Sequence, residues 1–71
     1  MESRPTPHEL KTRYSADVRR VGLRSTYEVH IRGDALPSDA EVIAMCGETR
    51  ATVRRATGPD GRPVYLVRAQ R

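Results

Sequence analysis

The chain is poor in several residue types, and each shortage narrows the possible functions. Among its 71 residues Cys46 is the sole cysteine, which rules out an intramolecular disulfide and a zinc site built on cysteine pairs. Tryptophan and phenylalanine are absent and there are three tyrosines, which weakens the case for a platform that stacks nucleic-acid bases. No apolar run resembles a signal sequence or a membrane span, so we expect a cytoplasmic protein that does not enter the membrane.

The groups that usually carry catalysis are also scarce. His8 and His30 are the only histidines, and no metal-ligand spacing joins them. His30 falls on the polar face of a predicted strand, which indicates a surface residue; a phosphate contact or a pH-sensitive pair with a carboxylate are the alternatives. Cys46 falls at the C-terminus of a predicted helix, where the dipole disfavours a thiolate, so we interpret it as a small apolar residue. The sequence therefore predicts no enzyme, no metal site and no cofactor.

Charge is unevenly distributed along the chain. The formal net charge is +4, to which residues 1–32 contribute +3, residues 33–49 contribute −4 and residues 50–71 contribute +5. The basic end suits phosphates or an acidic protein surface. In another interpretation the acidic stretch neutralises the basic residues within the fold or across a dimer. Every basic residue except Lys11 is arginine, which suits phosphate recognition, although a GC-rich genome would produce the same bias.

The N-terminal region begins with a flexible tail over residues 1–5, and residues 6–71 are predicted to form one compact domain. Thr6-Pro7-His8-Glu9 is typical of a helix start, and apolar residues at helical spacing predict a helix over about residues 7–20. Gly22 is a candidate for its end. A strand is the rival interpretation of residues 10–21, because Tyr14, Ala16 and Val18 also alternate.

The middle of the chain predicts one strand and one short helix. Residues 26–32 alternate between apolar and polar side chains, which is typical of a strand. Ser38-Asp39-Ala40-Glu41 is a capping-box pattern, so we expect a helix over residues 39–46 with Gly47 after its end. Leu36 is a candidate for an apolar staple at the start of this helix.

Residues 50–70 predict a β-hairpin. Pro59-Asp60-Gly61 is typical of a three-residue loop that combines a type I turn with a G1 bulge. That loop pairs Gly58 with Arg62 and Ala56 with Val64, and the same register continues to Arg50 opposite Gln70. The expected core face then holds Ala51, Val53, Tyr65, Val67 and Ala69, with Arg55 beside the Tyr65 ring. The opposite face holds Arg50, Thr52, Arg54, Arg68 and Gln70, with Val64 and Leu66 near the turn. A slip of one residue would exchange the two faces.

Together these elements predict an α+β fold. We expect a small, mainly antiparallel sheet of three or four strands with one or two short helices and the C-terminal hairpin. The continuous apolar run over residues 64–67 predicts that the last strand is central and covered on both faces over that part.

The predicted binding residues are Arg50, Arg54 and Arg68 on the hairpin, together with Arg32. Their like charges would repel one another unless solvent, Glu28 or a ligand offsets them. We therefore expect a non-catalytic module that binds nucleic acid or an acidic protein surface, and phosphate contacts would give it affinity without sequence specificity.

The alternative function is a protein interaction, as in an adaptor, an inhibitor or an antitoxin-like regulator. The strand over residues 26–32 would then pair edge to edge with a partner, or Val64 and Leu66 would be buried against one. The partner would be another protein or a second copy of the chain, so a homodimer remains open.

Overall fold

The protein is a four-stranded antiparallel sheet with two helices packed on one face. The computed structural model describes residues 5–22 and 25–70, so the predicted tail lies outside the described residues except for Pro5. The elements are α1 (Pro7–Tyr14), β1 (Ala16–Val21), β2 (Thr26–Ile31), α2 (Asp39–Met45), β3 (Ala51–Thr57) and β4 (Pro63–Ala69). The strand order is β1-β2-β4-β3, which makes β2 and β4 central and β1 and β3 the edges. The predicted α+β class and the C-terminal hairpin are confirmed.

The first helix is shorter than predicted, and the assignment of residues 15–20 to it is wrong. Thr6 caps its N-terminus by accepting a hydrogen bond from the Glu9 N–H at 3.2 Å. The helix ends at Tyr14 because Ser15 adopts a left-handed conformation, with φ of 50°. The chain continues as β1, and Gly22 follows that strand instead of closing the helix. The rival interpretation is therefore correct for this part, since a strand can pair with β2 along its whole length.

The second helix follows its sequence signal closely. The Glu41 N–H donates to the Ser38 hydroxyl at 3.2 Å, and the Glu41 carboxylate accepts from the Ser38 N–H at 2.9 Å. This capping box satisfies two N–H groups that a helix start leaves unpaired. The helix ends one residue earlier than predicted, at Met45, and Gly47 follows with φ of 74°. Leu36 is 56% exposed and makes a poor staple, whereas Pro37 beside it is buried.

The hairpin has the predicted turn and register. The Gly58 N–H donates to the Arg62 carbonyl oxygen at 2.8 Å, and Gly61 has φ of 79°. The pairs run from Ala56 opposite Val64 to Thr52 opposite Arg68, and the Gln70 N–H then donates to the Arg50 carbonyl oxygen at 3.0 Å. The assignment of faces follows from this register, because side chains alternate along each strand.

The core lies between the helices and the sheet. Its fully buried side chains are Leu10 from α1, Val42 and Met45 from α2, and Val29, Ile31, Tyr65 and Val67 from the two central strands. The prediction that β4 is central is confirmed. The expectation that both of its faces are covered is wrong at Leu66, which is 38% exposed because the helices pack on the other face.

Candidate functional site

The sheet face opposite the helices is called the open face. Residues that alternate with the core residues share this face, and the strand register arranges them in three rows across β1, β2, β4 and β3. The first row is Asp17, His30, Val64 and Ala56; the second is Arg19, Glu28, Leu66 and Arg54; the third is Val21, Thr26, Arg68 and Thr52. The second row therefore contains two arginines and the third row contains one, and these two rows have no other basic residue.

A shallow depression of about 390 Å³ crosses three strands of the open face. The depression arises because Thr26 and Thr52 have short side chains. They lie beside the longer side chains of Arg68 in the same row and of Leu66 and Arg54 in the next row. Its lining residues are Thr26, Thr52, Arg54, Leu66 and Arg68. Two guanidinium groups, two hydroxyls and an apolar side chain thus meet around one concave surface, a combination that suits an anionic ligand.

The predicted binding residues do not all meet at this depression. The structure brings together Arg54 and Arg68, which are diagonal neighbours on adjacent strands, a relationship that places two residues about 7–8 Å apart and their Cβ atoms somewhat closer. Arg50 lies before β3 and is exposed, and it is not among the residues that line the depression. Arg32 lies beyond the opposite end of β2, about 20 Å along the strand from the third row. The sequence grouped Arg32 with the hairpin arginines, and the structure does not bring it to them.

Some arginines of the open face form an ion pair with an acidic side chain, and others do not. Arg32 forms an ion pair with Asp17, with Nη2 at 3.0 Å from the carboxylate oxygen. Over residues 5–22 and 25–70, no ion pair involves Arg19, Arg54 or Arg68. Their guanidinium groups are therefore available to a ligand.

Glu28 is one of the three candidates for offsetting the charge of the arginine cluster, beside solvent and a ligand, and in the structure it contacts a histidine. The His30 Nε2 lies 2.6 Å from a Glu28 carboxylate oxygen, and both side chains are about one third exposed. Of the functional alternatives for His30, a pair with a carboxylate therefore matches its geometry. Because Glu28 is held there, the charge of Arg54 and Arg68 is not offset by an ion pair within the described part of the sheet.

The acidic stretch over residues 33–49 pairs mainly with groups on the helix side. Asp39 lies 3.7 Å from Arg55, whose guanidinium carbon also lies 5.9 Å from the centre of the Tyr65 ring. Glu41 lies 3.9 Å from Arg13. The interpretation that the acidic stretch neutralises basic residues within the fold therefore holds for Arg13 and Arg55, and within the described residues no member of the stretch pairs with an arginine of the open face.

Two tyrosine hydroxyls also contact the acidic stretch. The Tyr14 hydroxyl donates to Glu41 at 2.8 Å, and the Tyr27 hydroxyl donates to Glu48 at 2.8 Å. Each of these hydrogen bonds raises the pKa of its tyrosine, because the carboxylate stabilises the protonated phenol. The hydroxyls of both tyrosines are therefore hydrogen-bonded on the helix side of the sheet.

The geometry around Cys46 gives little support to a nucleophile. Cys46 caps the C-terminus of α2 and is partly buried, and this burial raises the pKa of its thiol to about 11. The thiol is therefore protonated near neutral pH. Among the residues that the structure describes, no three histidine, cysteine, aspartate or glutamate side chains are grouped to hold a metal ion.

Arg19 is the residue of this site that sequence reasoning missed. It lies in the same row as Arg54 but on the opposite edge strand. The helix predicted over residues 7–20 concealed it, because face assignments differ between a helix and a strand. The alternation of Asp17, Arg19 and Val21 with Ala16 and Val18 was the signal that would have found it.

The edges of the sheet are less suited to strand addition than the sequence indicated. The strand predicted to pair edge to edge is β2, and it has neighbours on both sides. The free edges belong to β1 and β3, and each carries two consecutive arginines, Arg19-Arg20 and Arg54-Arg55. Charged side chains on an edge strand discourage pairing with another chain.

Comparisons with known proteins add no assignment to this geometry. No model of a known protein family, no curated protein sequence and no solved structure matches the chain. Neither described helix has the length and apolar character needed to cross a membrane.

Proposed function

We propose that this protein is a non-catalytic module that binds nucleic acid through the arginines of its open face. The proposal is carried by one observation: Arg54 and Arg68 line the same depression, and neither has an ion-pair partner within the described residues. A guanidinium group is planar, always charged and able to donate two parallel hydrogen bonds to a phosphate. The hydroxyl of Thr26 adds a donor of the kind that phosphate oxygens accept, whereas the Thr52 hydroxyl donates to the Arg68 carbonyl oxygen at 3.5 Å.

Electrostatic repulsion supports a ligand at this position. Two unpaired like charges on adjacent strands destabilise the sheet slightly, and solvent screening offsets only part of that cost. A polyanion laid across the depression would replace the repulsion between Arg54 and Arg68 with attraction. This is the arrangement expected where binding, and not stability, determines the residue type.

The chemistry of these contacts implies binding that depends on salt and little on sequence. Phosphate contacts release counterions, so three of them reduce affinity by about 40-fold between 50 and 200 mM salt. Sequence is recognised by side chains that reach the edges of bases. The polar groups that line the depression are guanidinium and hydroxyl groups, which suit the nucleic-acid backbone, so mixed-sequence oligonucleotides are suitable probes.

Fluorescence anisotropy with a labelled mixed-sequence oligonucleotide tests the proposal. We expect Arg54→Gln and Arg68→Gln each to weaken binding at 50 mM salt and to reduce the slope of log affinity against log salt by about 0.9. Arg13→Gln is the matched control, because it removes the same charge from α1 on the other side of the sheet. Absence of binding by the native protein at 50 mM salt would rule the proposal out. An equal loss in Arg13→Gln would mean that net charge alone, without a defined surface, drives the interaction.

A protein partner is the second candidate function, and the exposure of Leu66 favours it. Leu66 lies in the middle of the second row with Arg54 beside it. An apolar centre bordered by arginine is common in protein interfaces, and an adaptor, inhibitor or antitoxin-like regulator would use it against an acidic surface. A complex that survives nuclease treatment and is lost in Leu66→Ser would favour this function.

A second copy of the chain is a poor occupant of the open face. A two-fold symmetric interface would bring the arginines of one copy close to the arginines of the other, and like charges repel. If the protein is a homodimer, we therefore place its interface elsewhere. A measurement of mass in solution tests for a dimer directly.

A further inference from the structure

We infer that the ligand of the open face is double-stranded DNA, held by its two phosphate backbones, and not a single strand held by base stacking. This inference rests on the proposed function and specifies the ligand of the same site. Three observations carry it: the positions of the aromatic rings, the arginines on both edges of the sheet, and the apolar side chain between them.

The tyrosines of the chain lie away from the open face. Tyr65 is 1% exposed in the core, and the hydroxyls of Tyr14 and Tyr27 donate to carboxylates on the helix side. Sheets that bind single strands rely on exposed aromatic side chains, on which successive bases stack. In the described part of the open face the only ring is that of His30, which is in contact with Glu28. A single strand would therefore gain phosphate contacts here and little else.

The second row places a cation at each edge of the sheet. The backbones of β1 and β3 at Arg19 and Arg54 are separated by three strand spacings, about 14 Å. This separation is comparable with the width of the B-DNA major groove, about 12 Å, which lies between two phosphate backbones. A duplex can contact both edges at once, whereas a single strand that lies along one edge leaves the other without a partner.

The centre of the second row suits a groove better than a phosphate. Glu28 and Leu66 lie between Arg19 and Arg54. The Glu28 carboxylate would repel a phosphate placed there, whereas the base edges in a groove carry no formal charge. Leu66 also distinguishes the two kinds of duplex, because the major groove of B-form DNA displays thymine methyl groups that an apolar side chain can contact, whereas the shallow minor groove of A-form RNA displays ribose hydroxyls. B-form DNA lacks those hydroxyls, so we expect it to be the preferred duplex.

Three probes of the same 20-nucleotide sequence test this inference at 50 mM salt: single-stranded DNA, duplex DNA and duplex RNA. Duplex DNA would contact Arg19, Arg54 and Arg68, whereas a single strand would contact only Arg54 and Arg68, so we expect the duplex to bind at least about tenfold more tightly. We expect Arg19→Gln to weaken binding of duplex DNA by about tenfold and to change single-strand binding by less than about twofold. Arg20→Gln is the matched control, because it removes the same charge from the adjacent residue on the same strand, which faces the other side of the sheet. Thermal unfolding of each variant verifies that it is folded at the temperature of the assay.

The outcomes separate this inference from the proposed function. Tightest binding of duplex DNA, with a loss specific to Arg19→Gln, supports the inference. Tightest binding of the single strand or of duplex RNA overturns it and leaves nucleic-acid binding in place. Equal losses of affinity for duplex DNA in Arg19→Gln and Arg20→Gln would contradict the inference that the duplex contacts both edges of the sheet. Failure of all three probes to bind overturns the inference and the proposed function together.

Discussion

Gly58 and Arg62 pair across the turn of the C-terminal hairpin, with the Gly58 N–H donating to the Arg62 carbonyl oxygen at 2.8 Å. This pair sets the register in which Arg54 faces Leu66 and Arg55 faces Tyr65. Since side chains alternate, a shift of one residue would place Arg55 on the open face and turn Arg54 toward the helices. The turn therefore determines which arginine is available to a ligand and which one packs against a ring of the core.

The turn depends on Gly61, and its substitution gives a direct test. Gly61 has φ of 79°, and an added Cβ atom would meet no atom within 4 Å, so the cost of Gly61→Ala is confined to the backbone. We expect a loss of about 1 kcal/mol in the free energy of unfolding, which lowers Tm by roughly 4–8 °C in a domain of this size. Gly61→Asn is the matched control and should lose less, because asparagine tolerates left-handed backbone. Equal losses in the two variants would contradict this account of the turn.

The parts of the fold that the sequence predicted well have signals contained within a few neighbouring residues. The hairpin loop follows from Pro59, Asp60 and Gly61, whose backbone preferences agree with one another. The start of α2 follows from Ser38 and Glu41, which satisfy each other's N–H groups. In both cases the residues that form the signal also make the contacts, so no distant partner was needed.

The part that the sequence predicted poorly depends on distant partners. Over residues 15–20 the apolar spacing fits a helix and a strand, and the pairing of Ala16 with Ile31 decides between them. Once β1 is a strand, Asp17 reaches Arg32 and Arg19 joins the open face. This local ambiguity accounts for the omission of Arg19, whereas the inclusion of Arg32 in the predicted cluster reflects the register between β2 and β4, which no local signal determines.

The capping box of α2 makes the stability of the protein decrease at acid pH. The pKa of Glu41 lies below its ordinary value of 4.5, because the carboxylate accepts hydrogen bonds from the Ser38 N–H and the Tyr14 hydroxyl. The unfolded chain therefore takes up this proton first as the pH falls. The resulting contribution to stability is fully present above pH 4.5 and is lost as the pH falls through the lowered pKa.

Glu41→Gln should remove this dependence, because glutamine can still accept the Ser38 N–H but does not titrate. We expect the free energy of unfolding, measured in urea from neutral pH down to acid pH, to decrease less in this variant than in the native protein. Ser38→Ala is the control: it removes the hydroxyl acceptor at a cost of about 1 kcal/mol and one smaller cause of the lowered pKa, but it keeps the backbone hydrogen bond that is the largest cause, so most of the acid dependence should remain. Parallel losses in the native protein and in Glu41→Gln would show that Glu41 is not the group responsible.

The thiol of Cys46 should react slowly in the folded protein. Burial, with the negative charge of Glu48 as a smaller cause, raises its pKa from 9.0 to about 11. Because the thiolate is the reactive form, we expect iodoacetamide at pH 8 to modify the native protein about a hundredfold more slowly than the urea-unfolded chain. The unfolded thiol also ionises first as the pH rises, so its contribution to stability is present below pH 9.0 and is lost through about pH 11. Cys46→Ala should therefore lose less stability than the native protein over that alkaline interval. Equal alkylation rates in the folded and unfolded protein would mean that the thiol is exposed and lacks the raised pKa.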